Sequence, residues 1–271
     1  MKILMPSRIK KFLIDIYLQR RVIYELAKRD FQQQYMGSYL GVIWVFLQPL
    51  IFIGILYVVF TFGFKSAPTT SMPFVVYLIS GMIAWMYFSN ILSVTTGVIV
   101  SYAFLVKKGD FRLSILPIVK ILSALVPHLF FVVLAIITAW INGYPPSFYT
   151  LQVFYYLFAM VVLLLGLSWI TSSTNIFVKD VSKVVSIVVQ FGFWLTPIFW
   201  QIEKIPAAYQ WIVKLNPAYY IITGYRDSLV SRIPFWSHAW ETFLFWGMTV
   251  LILYTGINVF GRLRPHFGEV V

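Results

Sequence analysis

Cysteine is absent from the 271 residues. That excludes disulfides, thiolate metal sites and a cysteine nucleophile. Charge is also scarce: 11% of residues are Asp, Glu, Lys or Arg, against about 25% in a soluble domain. No GxxxxGK[ST] phosphate loop occurs, so the chain is expected not to hydrolyse ATP itself. HExxH and GxSxG are missing as well, and His128, His238 and His266 are far apart in sequence. An integral membrane enzyme would need acids or histidines clustered near one interface, and none are visible. The nine acids are Asp15, Glu25, Asp30, Asp110, Asp180, Glu203, Asp227, Glu241 and Glu269. All fall at the ends of apolar runs or outside them. Proton-driven carriers need ionisable groups at membrane depth, so intrinsic proton coupling is not expected. A sodium-coupled carrier using neutral oxygens, or a passive channel, stays open as a rival.

The chain is rich in the opposite class: 60% of residues are hydrophobic and 19% aromatic. No soluble domain of this length buries that much apolar surface, and aromatics with polar tips favour bilayer interfaces. The apolar runs are long and unbroken instead of alternating, which selects membrane-spanning helices over a barrel. Six spans are predicted, near Tyr39–Phe64, Pro73–Val100, Ile115–Ile141, Leu151–Val178, Val184–Trp200 and Trp240–Phe260. Most exceed the roughly 20 residues that cross a hydrocarbon core about 30 Å thick; the fifth is the shortest.

The formal charge of +12 follows from topology. Cations gather on one side in the amino-terminal tail (Lys2, Arg8, Lys10, Lys11, Arg20, Arg21, Lys28, Arg29) and around the second connection (Lys107, Lys108, Arg112, Lys120). Lys179, Lys183, Arg262 and Arg264 join them, leaving Lys65, Lys204, Lys214, Arg226 and Arg232 opposite. The positive-inside rule then puts both termini in the cytoplasm, and nucleic acid is not needed as a partner.

Two further segments are expected to lie on or in the membrane. Residues 1–38 hold an amphipathic interfacial helix over Ser7–Asp30, with Ile9, Phe12, Leu13 and Ile16 on one stripe and Arg20, Arg21 and Arg29 among its cations. Between the last two spans, Pro206–Leu215 and Ala218–Val230 read as short helices broken at Asn216–Pro217, since proline lacks an amide donor and restricts its predecessor. Both are too short to cross and too apolar for a free loop. A re-entrant hairpin at the outer surface, carrying Trp211, Asn216, Pro217, Tyr219, Tyr220, Tyr225 and Arg226, fits.

Particular strings carry a resemblance. Arg29-Asp30-Phe31 with Tyr35–Trp44 and Gln48-Pro49-Leu50 resembles the opening of type-2 ABC exporter membrane subunits for bacterial glycans. Phe104–Lys108, Phe111 and Ser114-Ile115-Leu116-Pro117 look like their loop between spans two and three. Leu215–Tyr220 and Gly224–Ser228 resemble the region before their last span. Ser-Ile-Leu-Pro and Gly-Tyr-Arg-Asp-Ser look closest to teichoic-acid translocation permeases, with O-antigen and capsule exporters as near alternatives and type-2 drug exporters sharing the topology. Arg112 and Ser114 depart from the proline and acid that many polysaccharide exporters place there.

The resemblance implies an all-α polytopic half-transporter in a bacterial cell membrane, with residues 39–271 as its transmembrane domain. Two copies would pair, each with a cytoplasmic ATP-binding subunit that holds ATP and Mg²⁺, the chain itself carrying no cofactor. Lipid-linked glycan would pass outward between them. Under that reading Lys107, Lys108, Asp110, Phe111 and Arg112 couple to the ATPase. Flat aromatic faces pack on the C–H faces of sugars, which nominates Trp44, Trp85, Phe88, Phe191 and Trp194 as channel lining, with Ile198 on the same face as the last two.

Overall fold

The computed structural model describes residues 14, 16–33, 39–63, 72–107 and 111–270. Among them every regular element is helical. The principal helices are α1 (Arg20–Gln33), α2 (Ile43–Val58), α3 (Phe74–Thr96), α4 (Leu116–Ser123), α5 (Leu125–Ile141), α6 (Gln152–Asn175), α7 (Asp180–Leu195), α8 (Gln210–Lys214), α9 (Pro217–Arg226) and α10 (Ala239–Leu263). Five stretches of the described residues are long and apolar enough to cross a bilayer: Ile43–Gly63, Phe74–Thr96, Leu113–Ile141, Phe148–Asn175 and Phe235–Val270.

The expected span Val184–Trp200 is only partly helical. Its helix, α7, has 16 residues, about 24 Å at 1.5 Å per residue. At Thr196 the backbone turns extended, with φ −90° and ψ 137°, because Pro197 disfavours the helical region for the residue before it. Ile198 therefore does not continue the α7 face. It is fully buried, whereas Phe191 and Trp194 are exposed. This corrects the expectation that the three share one face.

The hub is α3, which touches α2, α4, α5, α6, α7 and α9 and buries most of its length. It supplies little intrinsic polarity to the core: Ser80 and Thr96 return their hydroxyls to their own helix, while Thr95 shares a 2.8 Å hydrogen bond with Ser168 of α6. The most extensive contact joins α6 and α10, where glycines remove the side-chain barrier. A Cβ on Gly166 would lie 2.9 Å from the Leu253 backbone, and one on Gly256 would lie 2.6 Å from the Gly166 carbonyl. Small residues at such crossings let membrane helices pack backbone to backbone. By contrast α2 buries only Val45, Ile53 and Leu56, and α7 only Val185. These two helices show long apolar faces.

The segment Leu113–Ile141 is continuous in path but broken in helix at Ala124. Pro127 has no N–H for the carbonyl four residues earlier, and the Tyr87 hydroxyl donates to the neighbouring Ile121 carbonyl at 2.9 Å.

The predicted pair of short helices before the last span is present as α8 and α9, with Asn216 between them. Asn216 caps α9: its Oδ1 accepts from the Ala218 amide at 3.0 Å, and Pro217 follows at the first helical position. A π-helical turn over Asp227–Ser231 extends α9, and Arg232 ends it in the left-handed region at φ 55°.

Candidate functional site

Between α2, α3, α5 and α7 lies a cavity of about 710 Å³. Trp44, Gln48 and Phe52 face it from α2, Trp85, Ser89 and Asn90 from α3, His128 and Phe131 from α5, and Gln190, Phe193 and Trp194 from α7. Trp85 reaches this wall because Gly192 makes room: a Cβ there would come 2.8 Å from the end of the indole. The rings form a chain, with Trp85 5.6 Å from Phe88, Phe193 6.3 Å from Trp85, and Trp194 edge-on to Phe193 at 5.4 Å.

Of the nominated aromatics, Trp44, Trp85 and Trp194 meet on this cavity. Phe88 packs against Trp85 from outside the lining, and Phe191 faces away, 60% exposed. Phe52, Phe193 and the amides of Gln48, Asn90 and Gln190 were missed. A period-of-3.6 reading of the apolar runs gave no reason to choose among many phenylalanines, yet the isolated amides in such runs were a usable signal.

On one side the cavity wall runs into the α8–α9 hairpin. His128 Nε2 is 2.9 Å from the Tyr225 hydroxyl, and its ring lies 4.4 Å from that of Tyr87. One residue on, Arg226 is 6% exposed. Its guanidinium sits 3.6 Å over the Tyr77 ring while Nη2 donates to the Ile198 carbonyl at 2.8 Å. The Tyr77 hydroxyl donates to the Trp200 carbonyl at 2.6 Å. Gly81 is required here, since a Cβ would lie 2.6 Å from Nη2. Asn216 Nδ2 donates to Thr196 Oγ1 at 2.8 Å. The hairpin is thereby tied to α3 and to the chain leaving α7.

The remaining hairpin residues divide by exposure. Tyr220 is buried, its hydroxyl 3.0 Å from those of both Tyr155 and Thr242. Pro217 and Tyr219 are half-buried, and Trp211 is 59% exposed. Lys214 donates to Glu241 at 3.0 Å, which holds the ammonium pKa above its ordinary value.

At the opposite end α1 docks on α4. Ile23 and Ala27 pack on Ile115 and Val119, with Phe111 partly buried against the same group. Asp30 continues the Ile23–Ala27 stripe and is 4% exposed. It pairs with Lys120, accepts from Ser123 Oγ at 2.7 Å and from the Tyr102 hydroxyl at 3.3 Å. Burial first, then the Asp30 carboxylate, pushes the Tyr102 pKa up to about 12. Arg20, Arg21 and Arg29 are exposed on the other faces of α1.

Phe12, Lys108 and Asp110 lie outside the described residues, as does the Lys107 side chain; Arg112 is half-buried. Phe111 also touches the cluster of Leu113, Leu116, Phe260 and Phe267, so its ring already has partners within the chain. The anchoring role of Asp30 was missed in the sequence, although an acid at i+7 from Ile23 on an apolar stripe signals a buried partner.

The sequence profile described as ABC-2 type transporter matches residues 21–230. The chain is 25% identical over 248 residues to the O-antigen export system permease protein RfbA of Klebsiella pneumoniae, covering 91% of this chain and 93% of that protein. It is 23% identical over 265 residues to the protein of the same name from Myxococcus xanthus, covering 95% and 98%. The apolar helices and the nearly end-to-end match agree: this chain is a multi-pass membrane protein and belongs to the ABC-2 type transporter family, whose permeases work with a separate ATP-binding subunit.

Proposed function

We propose that the chain is the permease of an ATP-driven exporter that moves a lipid-linked surface polysaccharide of the O-antigen kind from the inner to the outer face of a bacterial cell membrane. The relatives named above move the reading from teichoic acid, favoured by the short strings alone, to O-antigen. The observation that carries it is the aromatic cavity, set beside two long apolar helices with little cover, α2 and α7. Two copies pair across these helices, so that each cavity becomes one wall of a shared conduit. The segment Thr196–Trp200 completes the fifth of six crossings, begun by α7; both termini are cytoplasmic, α1 lies at the inner interface, and the α8–α9 hairpin dips in from outside as a gate.

ATP and Mg²⁺ stay on the companion subunit. Its closure pushes on residues 107–112 and on α1. Because Asp30 grips Lys120 and Ser123, the push reaches α4 and then the α5 wall at His128.

Deleting the gene should abolish the surface polysaccharide while lipid-linked chains accumulate inside, and the purified permease should stimulate ATP turnover only with its companion subunit. Nucleotide hydrolysis, or uphill solute accumulation, by this chain alone in vesicles would refute the reading.

A further inference from the structure

We propose that the cavity is a contact site for an uncharged stretch of glycan, held by the amides of Gln48, Asn90 and Gln190. The proposal rests on the exporter reading and adds to it a substrate class. The three amides come from α2, α3 and α7 and line one cavity. All three are exposed, and no hydrogen bond from their side chains is found among the described residues. The serines of the same helices behave differently. Ser89, Ser93 and Ser186 return their hydroxyls to their own backbones.

An amide facing hydrocarbon without a partner is costly. Three of them converging on one hollow mark a place where hydroxyls or water arrive. Each amide offers two donors and an acceptor, which suits sugar hydroxyls of either sense without fixing one pattern. Trp44 and Trp85 beside them offer flat faces for the C–H side of a ring.

Charge decides the class. Among the described residues lining the cavity there is no Lys or Arg. The ionisable groups there, His128 and Tyr87, are buried and spend their polar atoms on Tyr225 and on the Ile121 carbonyl. A phosphodiester chain would bring a negative charge with each repeat into a low-dielectric hollow with no Arg or Lys to meet it; the first turn of α2 borders the hollow, but its Ile43, Trp44 and Val45 amides are already spent on the Leu40, Gly41 and Val42 carbonyls. A neutral chain meets no such penalty.

The test uses the permease with its ATP-binding subunit in nanodiscs and maltohexaose carrying a diazirine. Photolabel is expected on α2, α3 and α7, displaced by plain maltohexaose and not by a glycerol-phosphate hexamer. The Asn90→Ala/Gln190→Ala variant should lower labelling about tenfold, the effect of one or two lost hydrogen bonds. These side chains hold nothing in the fold, so expression should not change. Gln190→Lys should let the glycerol-phosphate hexamer compete.

Labelling elsewhere, labelling indifferent to the double variant, or equal competition by the phosphate polymer overturns the site. So does a double variant that runs as a monomer where the parent is a dimer, since the amides would then serve the seam. Normal surface polysaccharide in cells lacking the gene, with labelling intact, refutes the exporter reading and leaves the site standing.

Discussion

Replacing Asp30 with alanine should free α1 from the bundle. The carboxylate is 4% exposed and holds three groups at once: the Lys120 ammonium, Ser123 Oγ at 2.7 Å and the Tyr102 hydroxyl at 3.3 Å. Removing one member of a buried ion pair costs about 3–5 kcal/mol, because the other charge stays buried without compensation. At about 1.4 kcal/mol per factor of ten, amide protection along α1 should fall by roughly two to three and a half orders of magnitude, measured by hydrogen exchange on the protein in nanodiscs. The apolar contacts of Ile23 and Ala27 with Ile115 and Val119 remain, so the bundle itself should keep its melting temperature. Asp30→Ala combined with Lys120→Met should restore much of the protection, as apolar replacement of a whole buried pair is close to neutral. Protection unchanged within about threefold in the single variant would refute the argument that charge, not the apolar stripe, fixes α1.

Gly256→Leu should disrupt the α6–α10 crossing, where a Cβ already meets the Gly166 carbonyl at 2.6 Å. Overpacking of about 1–3 kcal/mol predicts a lower melting temperature in detergent, and an unchanged value would sink the close-crossing argument. Arg226→Lys should loosen the hairpin almost as much as Arg226→Met, because a point charge replaces neither the planar stack on Tyr77 nor the aimed Nη2 donor; faster proteolysis within residues 201–216 reads this out, and full protection in the lysine variant contradicts it. Phe111→Ala should leave membrane insertion intact and uncouple ATP turnover from export. Since Phe111 also packs under α1, hydrogen exchange in α1 should rise as well, and normal export at normal protein level removes Phe111 from the coupling path.

Much of the architecture was open to reading from the chain because the signals are local. Hydropathy marks a spanning helix without knowledge of its neighbours, and Asn216–Pro217 marks a break by its own chemistry. What eluded a local reading depended on pairs distant in sequence. Phe191 and Phe193 have similar credentials, yet only Phe193 faces the cavity, because Gly192 and Trp85 set the rotation of α7. Tyr225 and Arg226 read as parts of a re-entrant gate, but nothing local names their partners: both are buried, one on His128 and the other on Tyr77, 149 positions away. The helix of the fifth predicted span ends before Pro197 for a local reason that apolarity masks: Ile198 and Phe199 are hydrophobic without being helical.

The two clamps are not independent, because one segment carries both. Leu113–Ile141 bears Lys120 and Ser123, which hold Asp30, and then His128, which meets Tyr225 of the hairpin. Its helix is interrupted between those points, at Ala124. A rigid rod would pass any tilt of α4 to α5 in full. A broken one can bend at the interruption unless something fixes the angle, and Tyr87 of α3 bonds the Ile121 carbonyl there at 2.9 Å. Tyr87 also packs its ring against His128, 4.4 Å away and tilted by 35°, so the residue bonded at the bend is one that seats the cavity wall. Under the proposed cycle, movement of α1 would reach the aromatic cavity through a joint held by α3, the helix that also lines the cavity through Trp85.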